Sequence, residues 1–240
     1  MNMLRIFFCL LLSVPLYLLA QPSPVYEQSV GLEVGAHNGN RRISGGSGVT
    51  FFELERQDSL ESGVGGMSYG ILYESRADKI GFTTGVRYLE TGYNVAEQAF
   101  RNTPQARFSD EVRAQYLSVP FELNFHQSIT EKDRVSFMLG IAAQLHLKTV
   151  RTRTITEDGE LVATEELPND PDTDFRSPIV SLNTGIAFDR KLGEDWALKI
   201  QPNFQFFLQG NLQAQNNQTN RNYYQVGVRV VIKRFFGVNL

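Results

Sequence analysis

Two short motifs in this 240-residue chain have a spacing that could do chemistry. His126-Gln127-Ser128 sets an imidazole two residues before a hydroxyl, with Glu131 and Asp133 close behind. A serine nucleophile needs a base within hydrogen-bond reach, and that base needs an orienting acid, so the trio could serve acyl hydrolysis. A polar turn accounts for the same residues more simply. Asp170, Asp172 and Asp174 alternate like the start of a calcium loop. The glycine such a loop requires next is Phe175, and its closing glutamate is Ser181. A solvated acidic segment, with eight carboxylates between Glu157 and Asp174, is the better reading. His37 and His146 stand alone and read as packed polar groups rather than metal ligands.

Eight further charges are scattered along the chain: Glu33, Glu74, Arg87, Glu122, Asp189, Lys199, Arg229 and Lys233. What they do depends on the elements that carry them. The net charge of −3 and the lack of a basic cluster give no reason to expect a nucleic-acid partner. A hydrophobic content of 42% argues against disorder over the whole chain. The single cysteine, Cys9, excludes a disulfide framework and Cys-x-x-Cys metal sites. Residues 1–20 carry Arg5, then apolar runs, then Leu18-Leu19-Ala20, the order of a secretory signal peptide. Ser13 and Pro15 interrupt the run, which is shorter than the ~20 residues of a spanning helix. The expected domain is therefore 21–240.

Within that domain, apolar residues alternate with period two. From Trp196 to Leu208 one parity is almost wholly apolar, while the other carries Lys199, Gln201, Asn203 and Gln205. A strand separates two such sets onto opposite faces, whereas a helix would mix them. The pattern predicts strands near 28–37, 66–75, 79–90, 115–126, 134–148, 178–189, 195–209 and 222–234. Connections alternate between short (76–78, 127–133, 190–194) and long (38–65, 91–114, 149–177, 210–221). Strands of ~9–11 residues with tight turns at one end and long loops at the other are the signature of a transmembrane β-barrel. The expected fold is all-β: an eight-stranded antiparallel up-and-down barrel with short periplasmic turns and long extracellular loops.

The faces indicate the solvent. The polar parity is small and glycine-rich (Gly31, Gly35, Gly70, Gly81, Gly140), which suits a narrow barrel interior. The other parity is apolar and carries charge only at Glu90 and Arg234. Aromatic residues gather toward its two ends, as at membrane interfaces. The eight charges above fall on the interior parity, four acids with four bases. That balance fits a mutually paired network filling the lumen, because a selective pore would show a surplus of one sign. Pro120 and Pro202 fall inside strands, where bulges or local breaks are expected.

Tyr116-Leu117-Ser118-Val119-Pro120-Phe121-Glu122-Leu123 resembles the Tyr-Leu-x-Ile/Val-Pro-x-x-Leu segment of PorT-like small outer-membrane barrels. The strand around Gly140 and the terminal strand fit as well. The resemblance implies an integral outer-membrane barrel domain, mostly without an assigned activity in the family. Some small outer-membrane barrels are lipid A acyl hydrolases that use a His-x-Ser pair on the lipid-facing wall; here the trio is expected in a periplasmic turn. The expected role is therefore structural or loop-displaying, with no cofactor and no catalysis. The expected partners are outer-membrane lipid and lipopolysaccharide, and other envelope proteins through the loops. Small-solute transport or a secretion-accessory role is the alternative.

The alternation of short and long connections fixes the topology and can be checked on intact cells. A membrane-impermeant maleimide should label a cysteine placed at Gly159 and fail to reach one at Gly193. The opposite labelling pattern inverts the topology, and labelling at neither site removes the cell-surface assignment.

Overall fold

The computed structural model describes residues 27–46, 48–101, 103–169, 173–213 and 219–236. The expected signal segment, Asp170 and Asp172 lie outside the described residues. Among the described residues there are nine strands: β1 (Glu27–Gly45), β2 (Glu61–Ala77), β3 (Ile80–Phe100), β4 (Thr103–Ser128), β5 (Asp133–Glu157), β6 (Glu160–Leu167), β7 (Ile179–Lys191), β8 (Trp196–Phe207) and β9 (Thr219–Phe236). One helix, α1 (Phe51–Leu60), joins β1 to β2. Each strand from β1 to β5 pairs antiparallel with the next, β5 pairs with β7, and β9 returns to β1. Eight strands thus close a ring, as the alternation predicted. The ninth, β6, pairs only with the outer part of β5 and stands outside the ring.

The strands are longer than predicted, and this corrects the long loops. Segment 91–114 is the outer half of a β3–β4 hairpin, and 149–177 contains the end of β5 and all of β6. Segment 38–65 holds the end of β1, then α1, then the start of β2. A span takes ~9–11 tilted residues, whereas β4 has 26 and β5 has 25. More than half of these two strands therefore stands beyond the lipid. Such a hairpin meets water on its outer face and a mixed inner one, where Tyr93, Val112 and Ala114 are buried beside Thr91 and Asp110, so polar and apolar residues do not separate cleanly by parity. Its β-branched residues, such as Thr152, Thr154 and Ile155, still favour the extended chain.

Burial separates the faces as a membrane requires. Leu32, Ile71, Val86, Leu123, Ile141, Ile186 and Val230 all point outward and are exposed. Ser118, Asn183, Gln144, Arg87 and Glu122 point inward and are buried. A barrel that is apolar outside and charged inside is an integral-membrane barrel of the outer-membrane type. Phe82, Phe125, Phe137, Phe188 and Trp196 ring its periplasmic end, and Phe204 and Tyr224 lie near the outer rim. Thr184, a hydroxyl on the lipid face, donates to the Met138 carbonyl at 3.2 Å and so stays satisfied without water.

Both strand prolines sit at one-sided breaks. Pro120 pairs across to Ala142 on β5, but the β3–β4 ladder is interrupted from Thr84 to Arg87, opposite Val119 and Pro120. Gly85 spans that gap with φ +153°. Pro202 pairs with Val228, while the β7–β8 ladder is interrupted between Gly185 and Phe188. Each missing proline N–H therefore falls where a partner strand has already released its carbonyl. Gly140 permits another close approach: a Cβ there would lie 2.7 Å from the Glu122 Cα and 2.9 Å from its Cγ.

At the periplasmic rim, Glu27 ties four strands together. It accepts two hydrogen bonds from Arg134 of β5, at 2.6 and 2.7 Å, and pairs with Arg76 of β2 at 3.0 Å and Lys191 of β7 at 3.3 Å. Burial alone would raise its carboxyl, but Arg134, Arg76 and Lys191 hold it down at about 2, against an ordinary 4.5.

Two outcomes are expected. Leu139, near the middle of the lipid-crossing part of β5 that ends at Leu147, faces outward beside lumen-facing Gly140 and Met138. Leu139→Arg should weaken folding into lipid vesicles by ~2–4 kcal/mol, against ~0–1 kcal/mol for Leu147→Arg at the outer rim, because depth sets the penalty. Leu139→Ala controls for lost apolar contact, and equal small effects at both depths would mean this face does not meet lipid. For Glu27, a depressed carboxyl stabilises above its ordinary value and loses that contribution as pH falls through the folded one. The stability gap between the native chain and Glu27→Gln should thus be full above pH 4.5 and close as pH approaches 2. A gap that does not change with pH would mean that the charge of Glu27 is not what holds the rim.

Candidate functional site: the lumen and its outer mouth

Interior parity brings all eight sequence-identified charges into one column. Nearest the periplasm, Lys199 of β8 donates to Glu74 of β2 at 2.5 Å. Lys233 of β9 donates to the other Glu74 oxygen at 3.0 Å and pairs with Asp189 of β7 at 2.5 Å. Above them Arg87 of β3 grips Glu33 of β1 through two guanidinium nitrogens, one of them at 2.9 Å. Arg229 of β9 donates to Glu122 of β4 at 3.1 Å, and Arg87 lies 3.7 Å from the same oxygen. Asn183 also donates to Glu122, at 3.2 Å. Every one of these charges is buried. Removing them from water is costly, and close opposite charges with further hydrogen bonds are what offset that cost.

The next layer outward is uncharged. Gln144 and Gln205 both donate to the Ser181 hydroxyl at 2.9 Å, and Gln225 donates to Gln205 at 2.6 Å. Over these lies an aromatic plug. Tyr116 packs edge-on against Phe207 at 5.3 Å and His146 at 5.6 Å, and Phe207 against Tyr223 at 5.9 Å. Leu89, Tyr93, Val112, Ala114 and Ile179 complete the layer. Two cavities within the lumen have a volume of about 10 Å³ each, room for one water at most.

Beyond the plug the raised strands enclose an outer mouth of about 550 Å³. Here the sequence reading missed a second charged system. Glu61 of β2 accepts from Arg41 at 2.9 Å and from Arg221 at 2.5 Å. The Arg221 guanidinium also lies 4.6 Å from the Tyr93 ring centre. Asp110 of β4 is held by Arg151 and, at 2.8 and 2.9 Å, by Arg153. Burial alone would raise the Asp110 carboxyl, but hydrogen bonds from Arg153 and Arg151 hold it below its ordinary value. A bulge brings Arg151 and Arg153 round. Gln115 pairs with Lys148 but Tyr116 with His146, so Leu147 is an extra residue and the later parity of β5 reverses. That shift is not visible in the residue types.

The hydrolase trio is not assembled. His126 lies within β4 rather than in the turn, and its ring is buried in the lumen, 3.9 Å from Glu74. Neither ring nitrogen has a hydrogen-bond partner among the described residues. Ser128 is exposed at the rim, and the Asp133 carboxylate accepts from Thr130 at 3.0 Å. The imidazole faces away from lipid because residue 126 shares the interior parity of Glu122 and Asn124. His37 gives its ring to the Glu90 carbonyl at 2.8 Å, and His146 stacks on Phe175 at 4.3 Å. Among the described residues no group of three or more potential metal-binding side chains is found.

No protein-family model matches the chain, and no curated protein matches it in sequence. Solved structures do resemble it. Neisserial surface protein A (NspA) is 10% identical, with 85% of this chain and 96% of that one covered, at a TM-score of 0.41. The outer membrane protease OmpT from Escherichia coli is 4% identical over 88% and 97%, at 0.36. Ail, the attachment invasion locus protein of Yersinia pestis, is 10% identical over 85% and 98%, at 0.28. What those proteins bind or cleave does not carry over; the barrel assignment stands on this chain's own register and faces.

Proposed function

We propose that this chain is a sealed outer-membrane barrel that acts as a scaffold. It seats in lipid and lipopolysaccharide and offers its raised outer strands to other envelope components. On this reading it belongs with the PorT-like small barrels, through the Tyr116–Leu123 segment quoted above. The observation that carries the proposal is the filled lumen: a paired charge column closed by an aromatic layer, with cavities of about 10 Å³. A barrel of eight strands is only wide enough to be filled by side chains. Arg87 spans from Glu33 to Glu122, so a solute crossing the lumen would have to break buried ion pairs. Neither a cofactor nor a catalytic group enters this reading.

Planar-bilayer recording of the purified protein tests it. No stable, well-defined conductance is expected. A reproducible ion-selective current, reversed in selectivity by Arg229→Glu, would replace the scaffold with small-solute transport.

A further inference from the structure

Helix α1 is only loosely held: Leu54, Gln57 and Leu60 are half-buried and its other seven side chains are exposed. Thr50 and Glu53 form a capping box, with the Glu53 carboxylate accepting from the Thr50 N–H at 2.9 Å. At the other end Arg41 donates to the Asp58 carbonyl at 3.2 Å. No residue of the helix is buried, and Phe51 and Phe52 are 79% and 74% exposed. An isolated helix of ten residues is too short to hold itself in water. Two adjacent phenylalanines left in water would add to that deficit. Something has to cover them.

The wall beneath identifies the cover. Phe51 and Leu54 share an open groove of about 700 Å³ with Asn40, Arg42, Ile43 and Tyr224. Tyr224 pairs with Asn40 and sits on the outward parity of β9, directly above Val226, Val228, Val230 and Ile232. The groove floor is therefore continuous with the lipid-facing band. Arg42 shares the outward parity of Val34 and Ala36 on β1, beyond the end of the band, and is exposed. That is the level of lipid headgroups. The capping box satisfies the Thr50 and Glu53 N–H groups, which lowers the cost of bringing this end to the headgroup boundary. Glu55 and Asp58 line the same groove with Arg41 and Arg42, and Asp58 lies 3.5 Å from Arg41, so the groove would meet the charged headgroup layer rather than hydrocarbon.

We infer that α1 is a membrane-surface helix: Phe51 and Phe52 enter the outer leaflet at the headgroup boundary, lipid headgroups fill the groove behind Phe51, and Arg42 meets a lipid phosphate. The inference rests on the outer-membrane reading, so its test has to separate the two.

The full mature chain is folded into vesicles of phosphatidylcholine and phosphatidylglycerol carrying brominated acyl chains. Trp196→Phe removes the native tryptophan, and single tryptophans then report from Phe51→Trp, Leu139→Trp and Leu161→Trp. Leu161 is an exposed residue of β6, away from the wall. Quenching at Phe51→Trp should be several-fold stronger than at Leu161→Trp and greatest with bromines near the headgroup. Leu139→Trp should be quenched best by bromines deep in the chain. If Leu139→Trp is quenched and Phe51→Trp is not, the inference fails and the barrel reading stands; if neither is quenched, both fail. A blue-shifted but unquenched Phe51→Trp that reddens when protein is diluted into lipid would assign the face to a second copy instead. Phe51→Ser with Phe52→Ser, which disturbs no buried side chain, should speed tryptic cleavage after Arg56 several-fold in vesicles. An unchanged cleavage rate overturns the inference.

Discussion

In the hydrocarbon core of a membrane no water can take up a backbone N–H or C=O left without a partner. A strand can cross only if both its edges are paired, and an open sheet always has two that are not. The pairing of β9 back to β1, from Gln28–Phe236 to Gly45–Thr219, removes those edges. The rest of the structure follows from this closure. The ring turns one face of every strand to lipid and the other to a shared interior, so the chain must be apolar outside and polar within. Even the two prolines comply. Each sits where a neighbouring ladder is already interrupted, so its missing donor costs no further bond.

Closure also makes the interior narrow, and a narrow polar interior has to satisfy itself. Eight charges from seven ring strands meet there, each supplied with an opposite neighbour. The amide layer around Ser181 and the aromatic layer around Tyr116 then grade from charge to apolar packing toward the outside. Losing one member of such a column would strand another in a place water cannot reach, which is why paired buried charges are strongly interdependent. The same interdependence resists opening, and so the lumen reads as filling rather than as a passage.

Above the lipid the constraint relaxes, and the chain uses the freedom. The strands rise as a second, wetter barrel segment, closed on its inner side by Arg41, Arg221 and Glu61 and by Arg151, Arg153 and Asp110. At α1 apolar surface reappears next to Tyr224, at the edge of the lipid band. The helix half-buries Leu54, Gln57 and Leu60 against the barrel and leaves Phe51 and Phe52 to what lies beside the protein.

Alternation is a local property, and it alone determined the eight crossing strands, their lipid and lumen faces, and the burial of Glu33, Glu74, Arg87, Glu122, Asp189, Lys199, Arg229 and Lys233. It works because lipid and lumen differ sharply in polarity, so each residue's type reports its side. Which charge holds which could not be read, since partners such as Lys233 and Glu74 lie far apart in sequence and meet only through the ring. The raised strands were not legible because their outer face meets water and their inner face mixes Tyr93, Val112 and Ala114 with Thr91 and Asp110, so the contrast between parities is weak. Arg151 and Arg153 turn inward only because one extra residue, Leu147, shifts the register of β5 against β4. That register is fixed by two strands together, so tertiary pairing decided it and the residue types did not.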